Sequence, residues 1–467
     1  MGMPMSEFVR LVVDMFMEAV GVALIAMIFG TIAWVVVRDA ILHREGQISL
    51  KKILPVMLFT AYLGGLVTVT LLIRTTGNLT VQWHLFLGFR EAWNHFSLQH
   101  WLNIFLNIGM FAPMGFLLPF LGKVFRRWYV TLPVCFGVSL LIEIVQFLAQ
   151  RGAADVDDLF CNTLGAALGY CVCMTIRSLA EKAPRKSAAY GWLPLLTVVV
   201  FAGVFLSYYT QPYGNLPDGP TITVDTGGLD WILECELSDR EETLAIYGAD
   251  PYDGEEAIRF AEEFLARMGC ELSEMENYDD LFYFTKRVGE GSYTLWVNRL
   301  DRSYRYGTGR LKKDDQARFP EAWVREALGE IGIEVPQGAD FYYVREGGAH
   351  CFSVENAVVG DEMVDGDLRC WFTEDGEISS ITNYMGNYEL RGTQRVISQA
   401  QAYQRLRQGR FSDGVRMERL IERNHLTQIR VTACTLTYVV DTKGYRQPVY
   451  EFALEGLDSV YVPALAG

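Results

Sequence analysis

The residues best suited to chemistry lie between positions 143 and 162, within or beside apolar stretches. They are polar or charged side chains: Glu143, Gln146, Arg151, Asp155, Asp157, Asp158 and Asn162. Glu143 and Gln146 are three positions apart, so both lie on one face of a helix. A carboxylate at the centre of a membrane costs about 2.5–3.5 kcal/mol, and such a residue normally faces the bundle interior or a wet cavity. The pattern therefore predicts a polar intramembrane site that handles a proton or binds a headgroup.

The three aspartates precede an apolar segment that begins near Leu159. Aspartate at a helix N-terminus caps free N–H groups and suits the positive end of the helix dipole, so one of the three is expected to be a cap. Asn162 follows Asp158 by four positions and shares its face. Acidic groups with one arginine suit a zwitterionic or cationic headgroup, a proton, or a divalent ion with oxygen ligands. No catalytic residue is identified.

A second block, residues 107–115, reads NIGMFAPMG. Pro113 removes a backbone donor and Gly115 carries no side chain, so we expect the helix to be kinked or broken here. The block is either a proline-kinked helix with interhelical hydrogen bonds, with Asn107 among them, or the wall of a functional cavity. Gly165 and Gly169 form a GxxxG pair, which allows close helix approach and predicts packing rather than chemistry.

Six apolar segments must position these residues. Each is close to the ~20 residues that a helix needs to cross the hydrocarbon core. They are Ala19–Val37, Ile53–Ile73, Leu102–Leu121, Trp128–Ala149, Leu159–Ile176 and Trp192–Tyr209. The fifth is the shortest and least apolar. The sequence predicts an N-terminal all-α polytopic membrane bundle of about six transmembrane helices.

Loop charges predict the orientation. Basic residues are concentrated in alternate connections, residues 38–52, 122–127 and 177–191, and the positive-inside rule places these loops in the cytoplasm. Both termini are then outside, and if the fifth segment did not span, the C-terminal half would move inside.

The two halves of the chain differ in charge. Residues 1–215 carry 15 Lys and Arg against 11 Asp and Glu, whereas residues 216–467 carry 26 Lys and Arg against 45 Asp and Glu. The charged second half is therefore expected to fold in water. We expect the protein to lie in the bacterial cytoplasmic membrane, with this half on the extracytoplasmic side.

The second half mixes strand and helix patterns. Strands are predicted at residues 294–297, 368–373 and 435–440, and helices at residues 255–268, 322–331 and 398–410. A turn-rich stretch near residues 210–220 predicts a linker. The predicted organisation is a membrane domain at 1–209, this linker, and an α+β domain at 221–467.

The membrane blocks together resemble a known family. The order N-x-x-x-F-x-P-x-G, then E-x-x-Q, then R…D-x-D-D-x-x-x-N-x-x-G-x-x-x-G is similar to that of VanZ-like bacterial membrane proteins, over about residues 30–180. The matching residues are Asn107, Phe111, Pro113, Gly115, Glu143, Gln146, Arg151, Asp155, Asp157, Asp158, Asn162, Gly165 and Gly169. The resemblance implies a role in the cell envelope and in tolerance to teicoplanin-type glycopeptide antibiotics, without naming a reaction.

In the C-terminal half, a helix, the segment LTYVV (436–440), a turn and the segment QPVYEF (447–452) follow one another. This order resembles that of YycH/YycI-type or PepSY-like extracytoplasmic domains, over about 100 residues. Three functions remain open: binding or transport of an envelope lipid or lipid-linked precursor, a membrane enzyme with Glu143 or Asp158 as acid or base, and a sensor whose outer domain binds a ligand or partner protein. The strongly acidic outer half argues against nucleic acid. No cofactor motif, CxxC or zinc spacing is present, so neither a cofactor nor a metal is expected.

Overall fold

The computed structural model describes residues 5–38, 50–72, 81–150, 154–271, 274–278, 281–288, 291–308 and 317–465. The chain forms two compact units. One is helical and takes in residues 7–93 and 97–211, and the other is formed mainly by residues 212–467. The predicted fold class, a helical N-terminal half and a C-terminal half rich in β-strand with helices, is confirmed.

Seven helices make up the N-terminal half within these ranges. They are α1 Met5–Val36, α2 Leu50–Val67, α3 Leu87–His95, α4 Leu98–Leu121, α5 Trp128–Leu148, α6 Val156–Ala180 and α7 Pro184–Thr210. By length and composition α2, α4, α5, α6 and α7 can each cross a membrane, and α1 contains a shorter apolar stretch, Val20–Val36. The segment predicted to be shortest lies in α6, which has 25 residues. The helices indicate a multi-pass membrane protein.

Three local features shape this bundle. α2 is prolonged by a π-helical turn, Thr68–Leu72. Strands β1 (Val81–Gln82) and β2 (Ala154–Asp155) pair in parallel. α4 continues through Pro113 and Pro119 as one helix, so the break that the sequence allowed there does not occur. A helix tolerates proline at membrane depth when neighbouring groups satisfy the freed carbonyls.

The C-terminal half is built on one sheet of 14 strands. The strands are β3 Asp230–Leu233, β4 Thr243–Gly248, β5 Glu274–Tyr278, β6 Leu281–Val288, β7 Gly291–Asn298, β8 Tyr304–Gly307, β9 Asp340–Val344, β10 Ala349–Val359, β11 Glu362–Phe372, β12 Ile378–Asn383, β13 Gly386–Arg395, β14 Gln428–Val440, β15 Tyr445–Leu454 and β16 Val460–Pro463. Their main order is β3-β14-β15-β4-β13-β11-β12-β8-β7-β6-β5, with β9 and β10 joined beside β11 and β16 beside β15. All pairs are antiparallel except β3 with β14.

Helices α8 (Gly254–Arg267), α9 (Glu321–Glu330), α10 (Gln399–Arg407) and α11 (Gly414–Asn424) accompany the sheet. α8 begins with a capping box between Asp253 and Glu256 and buries Phe264 and Leu265 in the main core. α8 packs on the core through one face, because its apolar residues are three and four positions apart and form a single stripe along the helix. The predicted strands and helices at residues 255–268, 294–297, 322–331, 368–373, 398–410 and 435–440 coincide with these elements.

His350, on β10, is a buried histidine whose ring accepts a hydrogen bond from the backbone. Its Nε2 accepts a hydrogen bond of 2.9 Å from the N–H of Phe319. The ring is fully buried, with the rings of Tyr343 and Phe372 at 4.9 and 5.4 Å. Burial lowers the pKa of His350 below its usual 6.5.

We expect the C-terminal half to lose stability as the pH falls below about 6.5, the usual histidine pKa. Below this pH the His350 side chain binds a proton more readily in the unfolded chain than in the folded protein, so acid favours unfolding. His350→Phe should flatten this part of the pH profile, measured by denaturant unfolding of the full-length protein between pH 7.5 and 5. His425→Asn, at an exposed histidine, is the control. A slope unchanged in His350→Phe would contradict this assignment.

Candidate functional site

The site is organised by unusually close contact between α4 and α6. A Cβ added at Gly165 would overlap the carbonyl oxygen of Ile108, and one at Gly169 would overlap that of Ala112. On the other side of the contact, a Cβ at Gly115 would overlap the carbonyl oxygen of Ala166. The two backbones therefore touch, as small residues permit in membrane helices. This contact fixes the middle of α6 against α4.

Asn107 of α4 and Asp158 of α6 are joined across this contact. The Asn107 Nδ2 donates a hydrogen bond to Asp158 Oδ1. Asp158 lies in the first turn of α6, where the helix dipole favours a negative charge. The pair therefore links the middle of α4 to the start of α6.

Asp155 caps α6. Its side chain accepts a hydrogen bond of 2.8 Å from the N–H of Asp157, as expected for one of the three aspartates. Asp155 precedes the membrane-spanning helix, in β2. Burial raises the pKa of its carboxyl group, and the hydrogen bond from Asp157 opposes the rise. Asp155 therefore holds a local position at the helix start.

Asp157 fixes the loop that leads into α3. Its carboxylate accepts hydrogen bonds from the N–H groups of Phe86 at 2.5 Å and Gly88 at 2.7 Å. Phe86 has a positive φ of 66°, a conformation that costs a residue other than glycine about 1–3 kcal/mol. The Phe86 ring packs edge-on against Phe89 and Phe160. Asp157 thus serves as a built-in anion at the N-terminus of α3.

Glu143 connects α5 to the start of α6. The residue is 6% exposed, and its Oε2 accepts a hydrogen bond of 3.2 Å from the N–H of Asp155. Such a bond offsets part of the cost of removing a carboxylate from water. Glu143 is therefore a buried acid that reaches the N-terminal end of α6.

Gln146 and Asn162 each have one satisfied and one unsatisfied end. Gln146 Nε2 donates to the carbonyl of Thr70, in the π-helical turn, at 2.8 Å, and Asn162 Nδ2 donates to Ser139 Oγ at 3.0 Å. The amide oxygens, Gln146 Oε1 and Asn162 Oδ1, are buried and have no hydrogen-bond partner within the described part of the chain. Both side chains are almost wholly buried. Two buried oxygen acceptors therefore lack a hydrogen-bond donor among the described residues.

Several contributors were not identified from the sequence. Ser139 lies four residues before Glu143, on the same face of α5, so the spacing Ser139, Glu143, Gln146 could have revealed it. The carbonyl of Thr70 and the N–H groups of Phe86 and Gly88 carry no sequence signal, because any residue has them. Backbone groups of this kind can be assigned only after the fold is known.

The structure brings most of the predicted site residues onto adjoining faces of α4, α5 and α6. Arg151, predicted to supply the positive charge, lies outside the described residues. Among the residues that are described, no group of three or more His, Cys, Asp or Glu side chains could hold a metal ion. The site thus consists of side chains with carboxylate and amide oxygens, located between helices α4, α5 and α6.

Comparison with known proteins gives a family match within the helical half of the chain. No curated protein and no solved structure matches the chain. The resemblance of the C-terminal half to YycH/YycI-type or PepSY-like domains stays a prediction. A family model described as VanZ/LLP1 matches residues 54–177, which include α4, α5 and most of α6. The chain therefore contains a VanZ-like domain.

Proposed function

We propose that the VanZ-like domain binds an envelope lipid or a lipid-linked envelope precursor, and that this binding contributes to tolerance of teicoplanin-type glycopeptides. The observation that carries the proposal is Glu143, a buried carboxylate within a helix long enough to span a membrane. Intramembrane ionisable residues mark substrate or ion pathways by default, because their burial is costly.

The residues divide into two roles under this proposal. Asn107, Asp157 and Asp158 use their polar atoms to join α4, α6 and the loop before α3, which supports a positioning role. Glu143 and Asn162 bridge α5 and the α6 region, and Gln146 bonds from α5 to the π-helical turn after α2. All three supply buried oxygen atoms, so they are the residues proposed to meet the ligand. A membrane enzyme would use Glu143 as an acid or base at the same place.

We expect Glu143→Gln to abolish any protection that the protein gives. The change keeps the shape and removes the charge that a ligand would meet. The measurement is the teicoplanin susceptibility of a sensitive Gram-positive host that expresses the wild type, the variant or an empty vector. The control is Glu181→Gln, which neutralises a half-exposed glutamate that pairs with Arg177 at the end of α6.

A wild type no more tolerant than the vector would remove the glycopeptide part of the proposal. Equal tolerance in wild type and Glu143→Gln would remove the intramembrane site. Membrane levels of each variant, measured by immunoblot, separate loss of function from loss of protein.

A second candidate, a membrane-anchored sensor with an extracytoplasmic domain, is favoured by the segment that follows α7. Asp441, in the turn between β14 and β15, accepts hydrogen bonds from the N–H of Gly214 at 2.6 Å and from Gln447 Nε2 at 2.6 Å. Asn215 and Thr442 exchange two further bonds of 2.9 Å. The chain just after the last membrane helix is thus tied into the sheet, as a coupling element would be.

Removal of the C-terminal half distinguishes the two candidates. The truncation is made after Gln211, because residues 212–467 belong to one compact unit. A sensor should lose its function on truncation and keep it in Glu143→Gln, whereas lipid binding by the VanZ-like domain predicts the reverse.

A further inference from the structure

The C-terminal half contains several cysteines, and the register of the sheet decides which of them can pair. They are Cys235, Cys270, Cys351, Cys370 and Cys434. Residues directly opposite each other on neighbouring strands share a face of the sheet, and successive residues along a strand alternate between faces. A disulfide between neighbouring strands therefore needs two cysteines on one face, with Cα atoms about 4.4–6.8 Å apart.

Cys351 and Cys370 lie on neighbouring strands but on opposite faces. Cys370 of β11 is paired with His350 of β10, and Cys351 is paired with Arg369. The two cysteines are thus one register position apart, so their side chains leave the sheet in opposite directions. Nearness along the sheet does not allow this pair to form a disulfide.

A bulge in β14 places Cys434 on the same face as Val431. In the pairing of β14 with β15, Val431 is opposite Leu454 and Cys434 is opposite Phe452. Leu454 and Phe452 are two positions apart on β15, so they share a face, and both are buried. The register shift between Val431 and Ala433 supplies the extra residue that makes this possible. Cys434 therefore lies on the buried face of the sheet.

Cys235 follows the end of β3 and belongs to the same face. β3 runs parallel to β14 with Leu233 level with Val431, and the N–H of Glu234 donates to the carbonyl of Val431 at 2.9 Å. The Glu234 carboxylate pairs at 2.7 Å with Arg430, which precedes Val431 and lies on the opposite face. Cys235, one position after Glu234, therefore returns to the face of Val431.

Contacts with α10 agree with this placement. The ring of Tyr403, on α10, lies 6.3 Å from the ring of Phe452. Burial raises the pKa of Tyr403, and the nearby Cys235 thiol adds to the rise. Burial also raises the pKa of the Cys434 thiol to about 12, and again the Cys235 thiol adds to the rise. Cys235 is thus close both to Cys434 and to the ring that packs beside Phe452.

We propose that Cys235 and Cys434 form a disulfide that joins the end of β3 to β14. Adjacent strands are about 4.8 Å apart, which is within the span of a disulfide. Both cysteines are half-buried free thiols. Formation of the S–S bond takes one hydrogen from each thiol, and these two protons and two electrons reduce the disulfide of a thiol oxidase, or of oxidised glutathione, to two thiols. The predicted extracytoplasmic side is the kind of compartment where such bonds persist.

The cross-link would secure one edge of the sheet. β3 has four residues and stands at one end of the strand order, with β14 as its neighbour. The chain before β3 is already tied to the β14–β15 turn by the bond from Gly214 to Asp441. A disulfide that closes a long loop restricts the unfolded chain most, and this one closes the loop between residues 235 and 434. The oxidised protein should therefore be more stable than the reduced protein.

The test looks for the cross-linked peptide in the full-length protein. Purified protein in detergent is incubated with oxidised or reduced glutathione, alkylated, digested and analysed by mass spectrometry. We expect a peptide linked through Cys235 and Cys434 to be the main cross-linked product in oxidised glutathione and to be lost in reduced glutathione. Cys235→Ser should give no such peptide. Cys270→Ser, at a half-buried cysteine outside the pair, should give as much of it as the wild type.

The wild-type comparison needs no variant to fold. Oxidised protein without the Cys235–Cys434 peptide would overturn the proposal, and so would a main product linked through Cys351 and Cys370. Equal yield of the peptide from protein oxidised in urea would also overturn it, because the fold would then not bring the thiols together. The oxidised wild type should unfold at a higher urea concentration than the reduced wild type, followed by tryptophan fluorescence, and this shift should vanish in Cys235→Ser.

Discussion

The Gly165→Leu variant should lose the packed helical half of the protein. A Cβ at this position overlaps the carbonyl oxygen of Ile108, and the obstacle is backbone rather than a side chain that could rotate away. Overpacking a close contact costs about 1–3 kcal/mol and sometimes more, and we expect the upper end or beyond. The measurement is unfolding of the purified protein in mixed micelles with increasing SDS, followed by helical circular dichroism.

A matched control is available on the neighbouring helix. Gly109 of α4 is exposed, and a Cβ added there would meet nothing within 4 Å. Gly109→Leu adds the same side chain without obstruction, so its unfolding midpoint should stay near that of the wild type. If both leucine variants unfolded alike, the close contact of α4 with α6 would be contradicted.

The same contact carries a functional consequence. Separation of α4 from α6 would stretch the bond between Asn107 and Asp158 and shift the start of α6, where Asp155 bonds to Glu143. Gly165→Ala, a smaller change, should therefore weaken tolerance in the susceptibility assay before it unfolds the protein. The glycine pair thus contributes through position and not through its own chemistry.

The sequence predicted the membrane helices from the length of the apolar segments, each close to the ~20 residues that cross the hydrocarbon core. It also predicted that Gly165 and Gly169 pack against a helix, since a GxxxG pair allows close helix approach. It could not identify α4 as the partner. The two helices are joined by contacts about 50 residues apart in the chain, such as Asn107 with Asp158, and local patterns contain no information at that range.

The aspartates before α6 also show that local sequence predicts short-range contacts but not long-range ones. A capping aspartate could be predicted because caps act on the next few residues, and Asp155 is that cap. Asp157 was expected to be part of a ligand site, yet its carboxylate bonds to backbone N–H groups 69 and 71 residues away. In the C-terminal half, three of the 14 strands were predicted from local sequence pattern, at residues 294–297, 368–373 and 435–440. The strand order depends on non-local pairing and was not predictable.

Asp365→Asn should destabilise the C-terminal half more than any surface substitution. Asp365 and Arg446 form a hydrogen-bonded ion pair whose side chains are 13% and 10% exposed. Arg446 also donates to Tyr388 Oη at 2.8 Å, and its guanidinium lies over the Tyr388 ring. Removing one partner of a buried pair leaves an uncompensated charge and costs about 3–5 kcal/mol, a large part of the roughly 5–15 kcal/mol that stabilises a domain.

The effect should depend on the unpaired charge, and this can be tested directly. Asp365→Asn combined with Arg446→Met should recover most of the lost stability, because replacing both charges is often neutral. Asp458→Asn breaks an exposed pair with Arg416, in which the side chains are 63% and 69% exposed, and should cost no more than about 1 kcal/mol. Denaturant unfolding of the full-length protein, followed by tryptophan fluorescence, gives the four free energies. A double variant as unstable as Asp365→Asn would show that lost packing, rather than a stranded guanidinium, is responsible.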